Sequence, residues 1–531
     1  MKISSVTIRN HSRLSDCTLD VRDSLILVGP NGSGKSSLVR CLDMLLGKTM
    51  QQLYYSVSNS DFQDTGLPLS IEAKLTNLTV DELSFFPDEI DVADESLTVR
   101  LEATLEGEDL VLSRFFPYGA GNASPSSAQL KSIGWNMIPS DFSTKSLASG
   151  RKTIVDDYLK DIDASGDKSK LEEAIGALCS AIKGSAAFND ALNSLAFQLD
   201  PALEGGVAAA NLQFVPGATI EGNLLSDVRL QMKSKSGAMR EVTEQSDGIK
   251  ALISFAIFGL INSNGIIAID EPETHLHPSA QRNLMQVLQE SGRQLIVATH
   301  SGIVASEFNP DSIAVTRENL SPIQPKNGFL KNKEDQKTLA RWWISSRIEL
   351  LTGRHIIAVE GQSDRMVVER VAKLIGYRLE RDGVEVLEAG GCNEMPHVME
   401  IFGDNGFGMQ VSILIDEDAE EKMAEALGVA AKDLTSKSVF VSRVDLEDEY
   451  VSAIGVDELW KALGKSSLLT SNMLKTCNTE SGSSVPNEAE LAAFCRQKKN
   501  KIACAVVACE LLNSSSAARV TSVVEVLKNV I

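Results

Sequence analysis

A glycine-rich segment near the start of the chain, GPNGSGKS, matches the pattern GxxxxGK[ST] completely. Glycines let backbone N–H groups surround phosphate oxygens, and the N terminus of a following helix favours negative charge. In this pattern Lys35 would neutralise the terminal phosphates and Ser36 would bind Mg²⁺. The residues expected to contact a nucleoside triphosphate are Gly29, Asn31, Gly32, Gly34, Lys35, Ser36 and Ser37.

A second group of polar residues stands far downstream, where two apolar segments end. The segment GIIAID ends at Asp270 and is followed by Glu271, and QLIVATHS brings His300 to the end of another apolar run. At the end of a strand, Asp270 would support Mg²⁺ and Glu271 would activate water. Ser246 and Gly248 come just before the apolar helix predicted by IKALISFAIFGLI.

Carboxylates dominate the third group. Glu360 and Asp364 are one turn apart across a predicted strand-to-helix junction, so both can face one metal ion. Asp416 and Asp418 flank a single residue, which in extended chain places them on the same side. Hard oxygen ligands of this kind suit Mg²⁺ or Mn²⁺, and two such ions can assist phosphodiester cleavage.

These three groups need α/β elements to position them. Short apolar strands at residues 25–28, 355–359 and 411–415 lead directly into the chemically active positions, and amphipathic helices follow the first two. Residues 68–117 alternate as strands do, and residues 150–200 have helical spacing. We therefore predict open sheets whose strand ends display the active residues.

Residues 1–320 resemble an ABC-type ATPase head of the SMC and RecF group. The resemblance implies a signature at Ser246 and Gly248, a catalytic Glu271 and a switch histidine at His300. It also implies ATP as the nucleotide and a homodimer, because the signature of one head completes the site of another. The signature differs from the commoner LSGGQ form.

The ExxxD and DxD patterns resemble a TOPRIM domain, and a head followed by TOPRIM resembles the OLD (overcoming lysogenization defect) family of nucleases over nearly the whole chain. The resemblance implies Glu360 as a metal ligand or base, with Asp364, Asp416 and Asp418 as further ligands. It adds an acidic pair and a lysine, which are best matched by Asp445, Glu447 and Lys501. No segment resembling a helicase follows, so the chain is similar to the stand-alone class.

Length and composition fit this organisation. The 531 residues exceed one hydrophobic core, and we predict an ATPase domain at 1–325, with a helical insertion at about 145–235 as a possible dimerisation element. A connector at 326–350 and a TOPRIM nuclease domain at 351–531 complete the prediction. The fold class is α/β throughout.

The same composition disfavours several classes of protein. Eight scattered cysteines predict neither a zinc site nor a disulfide framework, and the absence of a signal peptide or long apolar run predicts a cytoplasmic protein without membrane contact. The formal charge of −21 argues against a surface coated with basic residues for non-specific DNA binding. It leaves room for a local nucleic-acid site.

The main hypothesis is an enzyme in which ATP controls a divalent-metal-dependent endonuclease that cuts or nicks DNA, with anti-phage defence suggested by the family alone. An accessory defence protein is a possible partner. The alternatives are an ATP-switched DNA clamp or recombination mediator without cleavage, and a TOPRIM nuclease acting on RNA. Topoisomerase and primase activities are less expected, since no tyrosine-bearing domain and no zinc site is evident.

Overall fold

A computed structural model gives the fold. It describes the chain except for residues 108, 120–121, 141–167, 204–205, 217–227, 234–236, 242–243, 262–264, 318–319, 478–484 and 531. The chain divides into two compact units, Met1–Pro322 and Ile323–Ile531. None of the helices in these described ranges is long and apolar enough to cross a membrane.

The first unit is built on strands that form three sheets. They are β1 (Lys2–Arg9), β2 (Cys17–Asp20), β3 (Ser24–Val28), β4 (Leu69–Thr76), β5 (Ile90–Asp91), β6 (Ser96–Glu106), β7 (Asp109–Phe115), β8 (Trp135–Ile138), β9 (Leu212–Pro216), β10 (Val228–Lys233), β11 (Met239–Glu241), β12 (Ile266–Asp270), β13 (Gln294–Thr299), β14 (Ile313–Arg317) and β15 (Leu320–Ile323).

The sheet that matters for chemistry has the order β15-β14-β3-β13-β12-β8, and the strands from β14 to β8 pair in parallel. Strands β3 and β13 are buried along their whole length, as expected of a parallel sheet covered on both faces. Their register pairs Thr299 with Val28 and Ala298 with Asp270. The carboxyl ends of β3, β13 and β12 therefore meet at one edge.

An antiparallel sheet of order β2-β1-β4-β6-β5, with β7 also paired to β6, packs its apolar face into the same core. In β4 every second residue is buried, which is the period that one-sided burial of a strand requires. The alternation predicted at 68–117 is thus realised by β4, β6 and β7, with the short β5 among them. A small antiparallel sheet joins β11, β10 and β9.

Helices of the first unit surround these sheets. They are α1 (Lys35–Leu42), α2 (Met50–Ser56), α3 (Val80–Leu83), α4 (Ser127–Ile133), α5 (Lys168–Gly184), α6 (Ala186–Leu199), α7 (Asp247–Ile261), α8 (Pro278–Glu290) and α9 (Gly302–Ser306). The predicted insertion at 145–235 is described only in part, with α5, α6, β9 and β10 among its elements. Its residues 145–167, 204–205, 217–227 and 234–235 lie outside the described ranges.

The second unit has one parallel sheet of order β17-β16-β18-β19, formed by β16 (His355–Val359), β17 (Val384–Glu388), β18 (Gln410–Asp416) and β19 (Val439–Ser442). Its helices are α10 (Glu334–Ser346), α11 (Glu349–Thr352), α12 (Gln362–Leu374), α13 (Leu379–Asp382), α14 (Met395–Phe402), α15 (Glu420–Leu427), α16 (Leu446–Ile454), α17 (Val456–Leu463), α18 (Ser471–Leu474), α19 (Glu488–Cys495), α20 (Lys501–Leu511), α21 (Ser514–Ala517) and α22 (Thr521–Val530).

Two features of this unit position the site. Helix α12, which follows β16, packs against α20, and α16, which follows β19, packs against α19 and α20. The predicted connector at 326–350 belongs to this unit and contains α10. Trp343 of α10 is buried and its ring lies 5.9 Å from that of Phe402, so burial of one aromatic anchors this polar segment.

Candidate active sites

The glycine-rich loop lies between β3 and α1. Gly34 has a φ of 94°, and a Cβ added there would meet the Leu14 side chain at 2.4 Å, so only glycine fits this turn. A Cβ on Gly29 would lie 2.3 Å from the Thr316 carbonyl oxygen. The loop therefore closes tightly over backbone that can approach phosphates.

Lys35 is buried, and its ammonium donates hydrogen bonds to the carbonyls of Gly29 (2.9 Å) and Pro30 (3.0 Å). Burial lowers the pKa of Lys35, while the nearby carboxylates of Glu271 and Asp270 raise it. Three other predicted contacts occupy the same loop and the first turn of α1: Asn31, Gly32 and Ser37.

Ser36 and Asp270 are brought together although 234 residues separate them in sequence. The Ser36 hydroxyl donates to Asp270 Oδ1 at 2.9 Å. Burial raises the pKa of the Asp270 carboxyl, and the hydrogen bond from Ser36 opposes that rise. A hydroxyl and a carboxylate side by side at the end of a phosphate-binding loop are the two groups that hold Mg²⁺ in nucleotide sites.

Glu271 and His300 also meet at this edge. His300 Nε2 lies 3.4 Å from Glu271 Oε1. Glu271 has a φ of 51°, a left-handed conformation that is uncommon outside glycine, and its N–H donates to the Ala298 carbonyl at 2.8 Å. Strained backbone held by the neighbouring strand aims the carboxylate at the site.

Glu273 is a member of this site that the sequence analysis missed. Its carboxylate accepts hydrogen bonds from the Thr299 hydroxyl at 2.8 Å and from the His300 N–H at 2.6 Å. It therefore ties the β12 loop to the end of β13. Its position in the sequence, two residues after Glu271, could have indicated this role.

Ser246 and Gly248 stand at the start of α7. Ser246 is exposed, and a Cβ on Gly248 would lie 2.8 Å from the His275 carbonyl oxygen. Close packing against the loop after Glu271 thus explains why position 248 is a glycine. The part of Ser246 in a partner's nucleotide site stays a prediction.

In the second unit, the carboxylates gather at the carboxyl ends of β16 and β18. Glu360 follows β16, Asp364 lies in the first turn of α12, and Asp416 ends β18. Asp364 Oδ2 accepts a hydrogen bond from the Gly361 N–H at 2.9 Å, which fixes the carboxylate near the end of β16. Asp418 lies in an exposed turn after Asp416.

Lys501 lies close to these acids in space, although it is far from them in the sequence. As the first residue of α20 it places its Nζ 3.3 Å from Asp364 Oδ1 and 3.6 Å from Glu447 Oε1. Glu447 lies in the first turn of α16 and its side chain is only 1% exposed. The packing of α12 and α16 against α20 thus brings three sequence-distant charges together.

The pKa values record this crowding. Burial, and then the charges of neighbouring acids, raise the pKa values of Glu360, Asp416 and Glu447, although Lys501 opposes each rise. The pKa of Asp416 rises to about 8 and that of Glu447 to about 7. Burial alone would lower the pKa of Lys501, but the carboxylates of Asp364, Glu447 and Asp416 raise it above its ordinary value. One ammonium thus faces several buried acids.

Asp445 has a different setting. Its Oδ1 caps α16 by accepting from the Asp448 N–H at 2.8 Å, and its Oδ2 pairs with Arg496. Arg496 also pairs with Asp448. Both oxygens of Asp445 are therefore engaged, and its part as a metal ligand stays a prediction.

The comparisons with known proteins divide along the same lines. Residues 351–418 match the model described as "Overcoming lysogenization defect protein-like, TOPRIM domain". Residues 1–112 match an AAA ATPase domain, and residues 182–305 match "AAA domain, putative AbiEii toxin, Type IV TA system".

Relatives match over most of their length. The Old nuclease of Escherichia phage P2 is 24% identical over 79% of this chain and 77% of its own. The OLD nuclease of Thermus scotoductus is 23% identical over 73% and 77%, and Endonuclease GajA of Bacillus cereus is 21% identical over 80% and 76%. Over most of its length the chain is similar to OLD nucleases, and it joins an ATPase domain to an OLD-like TOPRIM domain.

A solved structure is also similar in part. The Smc head domain of Pyrococcus furiosus, with an extended coiled coil and bound to the C-terminal domain of ScpA, has a TM-score of 0.42 at 13% identity. It covers 63% of this chain and 98% of its own.

The predicted α/β class and the order of ATPase domain before TOPRIM domain are confirmed. The prediction of an enzyme with an ATPase domain and a nuclease domain is confirmed as well.

The clustered carboxylates of the second unit have the chemistry of a site for a hard divalent cation, because their donors are all carboxylate oxygens. Glu447 Oε2 is buried and has no hydrogen-bond partner, which leaves a ligand atom available inside the cluster. As the side chains are placed, no three His, Cys, Asp or Glu residues of the described ranges are arranged to hold an ion. Instead, Lys501 Nζ stands beside Asp364 and Glu447.

Proposed function

We propose that this OLD-family chain is an ATP-controlled, divalent-metal-dependent endonuclease that cuts or nicks DNA in anti-phage defence. The observation that supports this most directly is the position of Lys501, 3.3 Å from Asp364 and 3.6 Å from Glu447 among buried acids. A lysine so placed can stabilise the extra negative charge that develops on a phosphodiester under attack.

In this proposal the ligands of Mg²⁺ or Mn²⁺ are Glu360, Asp364, Asp416, Asp418 and Glu447. The bound ions would supply Lewis-acid stabilisation of the attacking and leaving oxygens. The raised pKa of Glu360 makes its carboxylate a stronger base toward water. Lys501 would then hold the phosphate oxygens while the leaving oxygen departs.

The ATPase site controls this chemistry. Lys35 would bind the terminal phosphates of ATP, and Ser36 with Asp270 would hold its Mg²⁺. Glu271 would orient the attacking water, and His300, 3.4 Å away, would hold Glu271 in place. Ser246 and Gly248 would reach the nucleotide of a second copy, so that ATP joins two heads in a homodimer.

The test is an incubation of the purified chain with supercoiled plasmid, with and without Mg²⁺ or Mn²⁺ and with ATP or a non-hydrolysable analogue. We expect nicked or linear DNA only when divalent metal is present. Glu360→Gln should abolish cleavage and retain DNA binding, and the exposed Glu425→Gln is the matched control.

Transfer RNA in the same buffers separates the substrates. Cleavage of RNA in place of plasmid would replace DNA as the proposed substrate. DNA binding by both wild type and Glu360→Gln without any cleavage would refute the nuclease and leave an ATP-switched clamp.

A further inference from the structure

Two loops run side by side where β18 and β19 end. The last ladder pair of these strands joins Asp416 to Ser442. Beyond it, the Glu417 N–H donates to the Val444 carbonyl at 3.2 Å, and the Val444 N–H donates to Glu417 Oε2 at 3.0 Å. The Glu417 side chain thus extends the pairing of the two strands by one step.

Val444 lies at a strained position in the second loop. Its φ is 62°, in the left-handed region that β-branched residues avoid. The side chain is 51% exposed, so packing recovers little of the free energy that this conformation costs. The compensation must come from backbone hydrogen bonds, and the one made by the Val444 N–H is to Glu417.

The strained turn sets where the next acidic residues stand. Just before it, the Arg443 N–H donates to Glu449 Oε1 at 3.3 Å. Just after it, the Leu446 N–H donates to Asp416 Oδ1 at 3.2 Å, and α16 begins. Glu447 then enters the cluster one residue later. The turn at Val444 therefore couples the end of β18 to the position of Glu447.

We propose that Glu417 is a positioning residue of the nuclease centre. Its carboxylate holds Val444 in the left-handed conformation and thereby fixes Glu447 relative to Asp416. Glu417 itself lies on the solvent side and needs no contact with substrate or metal. The inference rests on the proposed metal-dependent function, because it concerns the geometry of that function's ligands.

The test is a titration of the full chain with Mn²⁺, followed by electron paramagnetic resonance of the free ion. We expect Glu417→Ala to weaken Mn²⁺ binding about tenfold, the scale on which residues that orient metal ligands act. Glu417→Gln retains a carbonyl acceptor and should stay within about threefold of wild type. The control Glu421→Ala removes the same charge from the exposed surface of α15 and should leave affinity unchanged.

A second change separates positioning from general damage. Glycine adopts the left-handed conformation without strain, so Val444→Gly combined with Glu417→Ala should recover most of the lost affinity. A merely structural defect would not be rescued by adding a flexible residue. Thermal unfolding of each variant accompanies the titrations.

The outcomes are distinct. Wild-type Mn²⁺ affinity in Glu417→Ala would overturn the inference alone, as would a double variant as weak as Glu417→Ala. Failure of the unmodified chain to bind Mn²⁺ would overturn the proposed function, and the positioning of its ligands with it.

Discussion

Glu447 is predicted to be a metal ligand, and burial of its carboxylate should lower the stability of the fold. Its side chain is 1% exposed, its Oε2 has no hydrogen-bond partner, and its nearest cation is Lys501 at 3.6 Å. Burial, reinforced by Asp364 and Asp445, raises its pKa from 4.5 to about 7. We predict that Glu447→Gln stabilises the metal-free protein at alkaline pH.

The magnitude follows from the pKa. A group whose pKa is higher in the folded state adds stability below its unfolded value, here 4.5, and loses it as the pH rises through about 7. At about 1.4 kcal/mol per pKa unit, the ionised carboxylate costs about 3 kcal/mol at high pH. The amide of glutamine lacks a partner for its N–H groups, which costs about 1 kcal/mol. The expected net gain is therefore about 2 kcal/mol at pH 8.5, with none at pH 5.5.

Urea unfolding in EDTA, followed by tryptophan fluorescence, measures this gain. The second unit contains Trp342, Trp343 and Trp460 of the chain's four tryptophans, so the signal reports mainly on the domain of interest. Glu425→Gln, at an exposed position of α15, is the control and should change stability little at either pH. Equal stability changes for Glu447→Gln at pH 5.5 and pH 8.5 would refute the reasoning.

Two further predictions concern the ATPase site. Gly34→Ala forces a left-handed φ of 94° on alanine and places its Cβ 2.4 Å from Leu14 Cδ2. We therefore expect thermal unfolding to show a loss of at least about 2 kcal/mol of stability. Calorimetry should show loss of ATP binding. His300→Ala removes the group 3.4 Å from Glu271 and should lower ATP turnover about a hundredfold while ATP affinity is unchanged. Equal losses of ATP turnover and ATP affinity would contradict a role confined to catalysis.

Local patterns in the sequence were enough to place the residues at strand ends. The apolar runs before Gly29, Glu271 and Glu360 became β3, β12 and β16, because four or five buried residues in a row between polar turns suit a parallel strand covered on both faces. Since carboxyl ends of parallel strands share one edge, the partnership of Ser36 with Asp270 followed from the fold class.

Residues whose roles depend on helix packing could not be placed this way. Lys501 was identified only by resemblance, whereas in the structure the packing of α20 on α12 and α16 places it beside the acids. Asp445 is predicted to be a ligand, and in the structure its oxygens cap α16 and pair with Arg496. Sequence spacing cannot show which way a side chain at a helix start will turn, because capping and metal binding favour the same residue types.

The two sites differ in how many buried carboxylates each one must compensate. In the ATPase site one acid, Asp270, has a raised pKa, and a hydrogen bond from Ser36 and the nearby Lys35 oppose the rise that burial causes. In the TOPRIM domain one ammonium faces at least four acids, and the pKa values of Glu360, Asp416 and Glu447 all rise. Such a cluster is less stable than a neutral one of the same shape, and a divalent cation would relieve the repulsion that Lys501 alone cannot. Metal binding should therefore stabilise the TOPRIM domain more as the pH rises, because more of the acids are then ionised.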